Sequence, residues 1–217
     1  MILILLGAPA SGKGTQASLL AKEFNLYHFQ TGSIARELAQ TNPRIKNIVE
    51  SGQLIPEEEM TMYAIDHLAR NIPQMKDILF EGFPRFVSQY EALDEYLKSK
   101  GDDIDAVISI EVSEEEAVKR MAARRTCKKC GRVYNLITNP PPQEDKCKCG
   151  GELFQREDDK PEAIKTRFRA FQENTKQLMD ELDLKGKLIK VDGERPIDDI
   201  QKDLQGIVRK IINDQKN

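Results

Sequence analysis

Short runs of mostly apolar residues, separated by longer stretches with helical spacing, set the rhythm of this chain. Ile2-Leu3-Ile4-Leu5-Leu6 opens it. Leu26-Tyr27-His28-Phe29-Gln30, Asp77-Ile78-Leu79-Phe80, Val107-Ile108-Ser109-Ile110-Glu111-Val112 and Lys187-Leu188-Ile189-Lys190-Val191 follow at intervals. Short runs of this kind fit strands covered on both faces. Between them the apolar positions recur at helical spacing. The first helix runs through Gln16 to Phe24, and the polar turn Thr31-Gly32-Ser33 is placed to cap a second beginning near Ile34. Tyr90, Leu93 and Leu97 mark another, and Ser113-Glu114-Glu115-Glu116 reads as a capping box for a helix carrying Arg120, Arg124 and Arg125. A long helix holds Ile164, Arg167, Phe168, Phe171 and Leu178. After Pro196 a final amphipathic helix runs through Ile200, Leu204, Ile207, Val208 and Ile211. Strands alternating with helices in this way predict an α/β fold, a doubly wound five-stranded parallel sheet.

Two stretches interrupt the alternation. After the second strand, Pro43, the apolar positions Ile45, Ile48 and Val49, and then Pro56-Glu57-Glu58-Glu59 before Met60, Tyr63, Ala64 and Leu68 give helices with no strand between them. Further on, Cys127-Lys128-Lys129-Cys130-Gly131 and Cys147-Lys148-Cys149-Gly150-Gly151 enclose Val133-Tyr134 and precede Leu153-Phe154, placed as short hairpin strands. The segment resembles a zinc ribbon. The expected division is a core of residues 1–29, 60–125 and 158–217, a helical excursion at 30–59 and an insertion at 126–157 that acts as a lid.

A length of 217 residues suits one substantial core with appendages, and a net charge of −3 gives no overall basic field for wrapping nucleic acid. No apolar run approaches the ~20 residues of a membrane span, and the N-terminal run is too short for a secretory signal, so a cytoplasmic location is expected. All four cysteines, Cys127, Cys130, Cys147 and Cys149, fall in one short segment, which favours a metal over a disulfide framework. Four thiolates would complete a tetrahedral structural Zn²⁺, although the one-residue spacer of the second pair leaves partial ligation or a redox pair as alternatives.

The richest chemistry lies in Gly7-Ala8-Pro9-Ala10-Ser11-Gly12-Lys13-Gly14-Thr15, between the first strand and the first helix. Glycines let backbone N–H groups line a concavity, the helix N-terminus adds positive potential, and Lys13 can reach outer phosphates. Gly14 stands where the strict motif has Ser or Thr, with Thr15 one step later. An ordinary tight turn is the plainer explanation. Arg36 follows the second strand. Glu81-Gly82-Phe83-Pro84-Arg85 follows the third, where a carboxylate can hold hydrated Mg²⁺ and an arginine can fork onto a phosphate. A Glu81–Arg85 salt bridge is the alternative there, a solvent-facing side chain the alternative for Gln89, and packing the expected fate of His28. Arg120 and Arg124, at i, i+4 on a presumed helix, would repel unless an anion lay between them, a solvated basic face being the plainer account.

The glycine loop with Gly14-Thr15, Thr31-Gly32 with Arg36, Gly82-Phe83-Pro84-Arg85 with Gln89, the Arg120/Arg124 pair, the cysteine-bearing insertion, and Arg156-x-Asp158-Asp159 before Arg167 together resemble adenylate kinases of the long, zinc-lid type. The resemblance spans nearly the whole chain. It implies phosphoryl transfer from ATP to AMP with Mg²⁺ carried by ATP, a structural Zn²⁺ in the lid, and a monomer. It further implies that Gly12, Lys13, Gly14, Thr15, Arg120 and Arg124 bind ATP, that Thr31, Arg36, Gly82, Arg85 and Gln89 hold AMP, and that Arg156 and Arg167 clamp the transferring group. Lys13, Arg85, Arg124, Arg156 and Arg167 are the expected catalytic set, Glu81 the residue of the Mg²⁺ water network, and Gln53-Leu54-Ile55 the lining of the AMP pocket. Three positions depart from the family's usual pattern: Ser33 and Glu81 stand where Asp is usual, and Cys147 is one residue nearer Cys149. Glu adds a methylene and Ser removes a charge, which bears on the Mg²⁺ water network. A UMP/CMP kinase shares the scaffold and is the nearest alternative. A nucleotide-dependent RNA- or partner-binding protein with Lys128, Lys129 and Arg132 at its tip is a more distant one.

Overall fold

In the computed structural model, which describes residues 1–72 and 74–215, a parallel sheet forms the centre of the molecule. Its strands are β1 (Ile2–Leu6), β2 (Tyr27–Gln30), β3 (Ile78–Glu81), β4 (Ala106–Glu111) and, last in the chain, β8 (Leu188–Asp192). The order across the sheet is β2-β3-β1-β4-β8, with every pairing parallel. All residues of β1 are buried and they alternate between the two layers. Ile2, Ile4 and Leu6 pack on one side with Leu68, Leu93 and Leu178, while Leu3 and Leu5 pack on the other with Leu20, Leu204 and Val208. Each such side chain contributes about 1.5–3 kcal/mol on burial, so β1 anchors both layers. The expected doubly wound sheet is therefore present.

Helix α1 (Lys13–Phe24) follows β1. Three helices, α2 (Thr31–Thr41), α3 (Pro43–Glu50) and α4 (Glu57–Asn71), lie between β2 and β3. Helix α2 begins at Thr31 rather than near Ile34. The Thr31 hydroxyl donates to the Gly82 carbonyl at 2.7 Å instead of capping, so Thr31-Gly32-Ser33 is the first helical turn and not a turn before it. Asn42 does cap α3, its Oδ1 accepting from the Arg44 and Ile45 amides at 3.0 and 3.2 Å, with Pro43 in the first turn. The chain then turns at Gly52 (φ +78°), where a β-carbon would lie 2.5 Å from the Ala163 carbonyl oxygen. That contact seats the helical excursion against α7 (Pro161–Ala170).

Helix α5 (Val87–Ser99) precedes β4, and α6 (Glu114–Ala122) follows it. Only half of the expected capping box forms. Ser113 Oγ accepts from the Glu116 amide at 3.3 Å, but the Ser113 amide donates to Glu194 at 2.7 Å while Glu116 takes Arg120 Nε at 2.6 Å. The helix also ends before Arg124, which opens β5 (Arg124–Cys127). Arg120 and Arg124 therefore do not share a helix face, and the repulsion expected from i, i+4 spacing does not arise. β6 (Val133–Asn135) and β7 (Leu153–Phe154), at the two expected short strands, each pair antiparallel with β5. The long helix expected through Leu178 is α7, a π-helical turn at Phe171–Thr175, and α8 (Lys176–Leu184). Phe168 packs with Ala8, Ala117 and Met121, placing α7 under the glycine loop. α9 (Ile197–Asp214) closes the fold. Among the described residues no helix is long and apolar enough to cross a membrane.

Candidate active site

The glycine loop joins β1 to α1 at the carboxyl edge of the sheet, where open α/β folds place ligands. Gly7 adopts φ +139°, and a β-carbon there would lie 2.3 Å from the Ile110 carbonyl oxygen, so only glycine lets the loop pass this close to β4. Gly12 precedes α1 with no side-chain cap, which leaves the first helical N–H groups facing the loop. Lys13 curls back over that concavity. Its Nζ donates to the Gly7 and Ala8 carbonyls at 2.8 and 2.7 Å and to Ser11 Oγ at 3.3 Å. Burial drives its pKa down to about 7; Glu81 opposes the fall, and Arg85, Arg167 and Arg124 add to it.

β3 supplies the next wall. Glu81, its last residue, accepts on Oε2 from His28 Nε2 at 3.1 Å and from the Gln30 amide nitrogen. Burial works against its charge, but the His28 and Gln30 bonds and the nearby Lys13 outweigh it and hold the carboxyl below the usual range. No Glu81–Arg85 salt bridge forms. Arg85 instead donates from Nε to the Gly82 carbonyl at 2.8 Å, and its charge is opposed first by burial. Gln89 is buried, its oxygen accepting from the Arg85 amide at 2.9 Å and its nitrogen donating to the Glu57 carbonyl at 3.1 Å. Arg36 reaches Ser33 Oγ at 3.4 Å.

The lid side contributes further arginines. Asp159, whose side chain is fully buried, takes Arg124 through Nε at 2.8 Å and Nη2, and also receives Arg167 Nη1 at 3.1 Å. Asp158 accepts from the same Arg167 nitrogen at 2.6 Å. Arg156 donates to Thr126 Oγ1 at 2.9 Å. Burial, reinforced by neighbouring arginines, depresses Arg156 to about 9 and Arg167 to about 10. Arg124 is also opposed by burial, but its bonds to Asp159 more than restore it. Lys13, Arg36, Arg85, Arg124, Arg156 and Arg167 all line one cleft of about 2040 Å³, together with Glu81, Asp158 and Gln53-Leu54-Ile55. Such a surplus of partly desolvated positive charge suits a ligand carrying several phosphates.

Above the cleft the four cysteine sulfurs lie within 4.8 Å of one another, with contacts of 3.4 Å for Cys130–Cys149, 3.5 Å for Cys130–Cys147 and 3.6 Å for Cys127–Cys149. A tetrahedral Zn²⁺ with Zn–S near 2.3 Å sets sulfurs roughly 3.8 Å apart, so the cluster fits one ion. The one-residue spacer is absorbed by a tight turn in which the Gly150 amide donates to the Cys147 carbonyl at 2.8 Å. The Cys149 backbone and the Tyr134 hydroxyl hold the Cys147 thiol down, to about 6.

The family model for adenylate kinase matches residues 5–187. The chain belongs to the adenylate kinase family. It is 42% identical over 216 residues to the adenylate kinase of Archaeoglobus fulgidus, covering 97% of this chain and 99% of that protein. The adenylate kinase of Thermosipho africanus is 40% identical, with 97% and 100% covered, and that of Caldicellulosiruptor bescii 41%, with 94% and 97% covered.

Against that family background, the structure gathers the residues singled out from the sequence around one cleft. Gly12, Gly14 and Thr15 sit at the loop and the first turn of α1. Thr31, Gly82, Arg85 and Gln89 lie on the β2–β3 side, and Arg120 lines the cleft while bonded to Glu116 and the Gly193 carbonyl at 2.6 and 2.8 Å. Sequence reasoning passed over His28, expected to be merely packed, and Gln30, which it did not single out; both bond Glu81. Their signal was the two-residue strand period ending at Gln30, but it becomes informative only once the register with β3 is known. Asp158 and Asp159 were noticed only as part of a motif, not as the groups that orient Arg124 and Arg167.

Proposed function

We propose that this chain catalyses reversible phosphoryl transfer from ATP to AMP, giving two ADP. The observation that carries this reading is the convergence of Lys13, Arg36, Arg85, Arg124, Arg156 and Arg167 on one cleft that also holds an anchored carboxylate, Glu81. A phosphoryl group in transfer spreads charge over its oxygens, so catalysis consists of aligning donor and acceptor and surrounding that charge. The glycine loop, Lys13, Thr15, Arg120 and Arg124 take the ATP side. Thr31, Arg36, Gly82, Arg85 and Gln89 take the AMP side, and Arg156 and Arg167 bear on the group in flight. Glu81 suits a hydrated Mg²⁺ at the phosphates, because its Oε1 meets no donor among the described residues and lies beside Gly14. When bound with ATP, Mg²⁺ neutralises phosphate charge and orients the oxygens. The cysteine cluster suits a structural Zn²⁺, with no open position for chemistry.

Residues 126–157 act as a lid over ATP and residues 30–59 as a cover over AMP, excluding water that would otherwise capture the phosphoryl group. The remainder of the chain is the core, working as a cytoplasmic monomer on small nucleotides, with neither nucleic acid nor membrane as partner. ADP formation from ATP and AMP, with UMP and CMP as competing acceptors, tests the reading. Rapid turnover with AMP supports it. No ADP formation overturns it, and faster turnover with UMP or CMP reassigns the acceptor.

A further inference from the structure

Glu81 is held by more than its own strand. In the parallel pair β2–β3, Gln30 lies opposite Glu81 and His28 opposite Leu79, and the two-residue period puts His28, Gln30 and Glu81 on one face. There Glu81 Oε2 accepts from His28 Nε2 at 3.1 Å, a contact that needs the proton on Nε2, and from the Gln30 amide nitrogen. Both oxygens lie beside the glycine loop, Oε1 at 3.5 Å and Oε2 at 3.6 Å from where a β-carbon on Gly14 would stand, but Oε1 meets no donor among the described residues. The Gln30 side-chain Oε1 accepts from the Ser33 hydroxyl, and Ser33 Oγ accepts from Arg36 Nη2 at 3.4 Å. A hydrogen-bonded row therefore runs from His28 through Glu81, Gln30 and Ser33 to Arg36.

We propose that Gln30 and His28 are positioning residues for the cation of the donor nucleotide, engaging one Glu81 oxygen from the neighbouring strand and leaving the other without a protein donor. This role rests on the reading of Glu81 as the carboxylate beside Mg²⁺. A glutamate has a longer, freer side chain than aspartate, and two donors on one oxygen remove that freedom before the nucleotide arrives. Groups that orient a ligand of this kind commonly change metal affinity by 10–100-fold when removed. The same row explains the neutral residue at position 33. A hydroxyl there donates to the Gln30 oxygen, which fixes the amide with its N–H toward Glu81. An aspartate would repel that oxygen, favour the turned amide, and set the amide oxygen against the Glu81 carboxylate. Ser33→Asp, although it brings the chain nearer the family's usual pattern, is therefore expected to harm the site.

Calorimetric titration of ATP, first without Mg²⁺ and then with it, measures the gain in affinity that the cation brings without any turnover. Gln30→Leu, His28→Leu and Ser33→Asp are each expected to shrink that gain about ten-fold while leaving affinity without Mg²⁺ little changed. His28→Gln, which keeps an N–H donor, is expected to retain it. Gln30→Leu combined with Glu81→Gln should lose no more than Glu81→Gln alone. If Glu81→Gln leaves the gain intact, the Mg²⁺ reading itself falls. If Glu81→Gln removes it but Gln30→Leu and Ser33→Asp keep the wild-type gain, only the positioning role falls. Should Gln30→Leu fail to fold, Ser33→Asp, at an exposed position, decides alone: a wild-type or larger gain overturns the proposal.

Discussion

Lys13 folds into a place where its own charge is unwelcome, and that predicts a proton signature. An ordinary lysine keeps its proton to 10.5, whereas Lys13 gives it up near 7 because it is buried among Arg85, Arg167 and Arg124, with Glu81 only partly compensating. Between those values the unfolded chain binds the extra proton, so the Lys13 contribution to stability rises with pH from 7 towards 10.5 and is lost as pH falls through 7. Phosphates restore the charge. ATP binding at pH 8 should therefore take up a proton, read as a dependence of the binding enthalpy on the ionisation enthalpy of the buffer; uptake that persists in Lys13→Met would place the titrating group elsewhere. Asp159 plays the opposite part, as a fully buried carboxylate bonded to Arg124 and Arg167. Asp159→Ala leaves both cations without it, an imbalance worth about 3 kcal/mol or more, and misdirects two arginines of the cleft. A lower denaturant midpoint together with a loss of turnover of at least a hundred-fold is expected; wild-type kinetics would remove Asp159 from its orienting role.

Elements explain why some of these residues meet. The end of α6 at Ala122 sends Arg120 inward, to the Gly193 carbonyl, and hands Arg124 to a strand, where Asp159 reaches it. Sequence spacing suggested one helical face for both, because nothing local after Met121 announces the switch. Ser113, the N-cap of α6, accepts from the Glu116 amide, and Ser113→Ala should cost about 1 kcal/mol in thermal unfolding with little effect on turnover. Gly52 is a sharper test of how elements dock. A methyl there would press on the Ala163 carbonyl and the Arg167 side chain, and its φ of +78° already strains any other residue. Gly52→Ala should push the helical excursion away from α7 and raise the KM for AMP several-fold, more than the KM for ATP. Equal changes in both would place the damage in overall stability instead.

For the whole molecule, the small apolar cluster of the cysteine segment, Cys127, Tyr134, Cys147 and Leu153, is separate from the clusters around the sheet. So few side chains cannot hold a fold by burial alone, and under the structural Zn²⁺ reading metal ligation would supply the difference. Chelation is expected to split thermal unfolding into an early lid transition and a later core transition, with ADP formation surviving at low temperature and collapsing on warming. An unchanged single transition would separate the cluster from metal. The chain's order of apolar runs determined the layered sheet: β1, β3 and β4, buried on both faces, need continuous apolar residues wherever they end up, while the edge strands β2 and β8 are only partly buried and carry polar residues among the apolar ones. The glycine loop was equally legible, since Gly7 is required by a local backbone angle and a close approach to β4. Glu81, Arg85 and the cysteines were legible as chemistry from residue type and position. Tertiary structure alone decided which groups share an oxygen: the parallel register that sets Gln30 against Glu81, the return of Asp159 to Arg124, and the placing of β6 and β7 on either side of β5. These depend on contacts between segments tens of residues apart, whose geometry is set by the packed sheet and not by any local pattern. In this chain the type of each group in the cleft is written in sequence, while its orientation is a property of the fold.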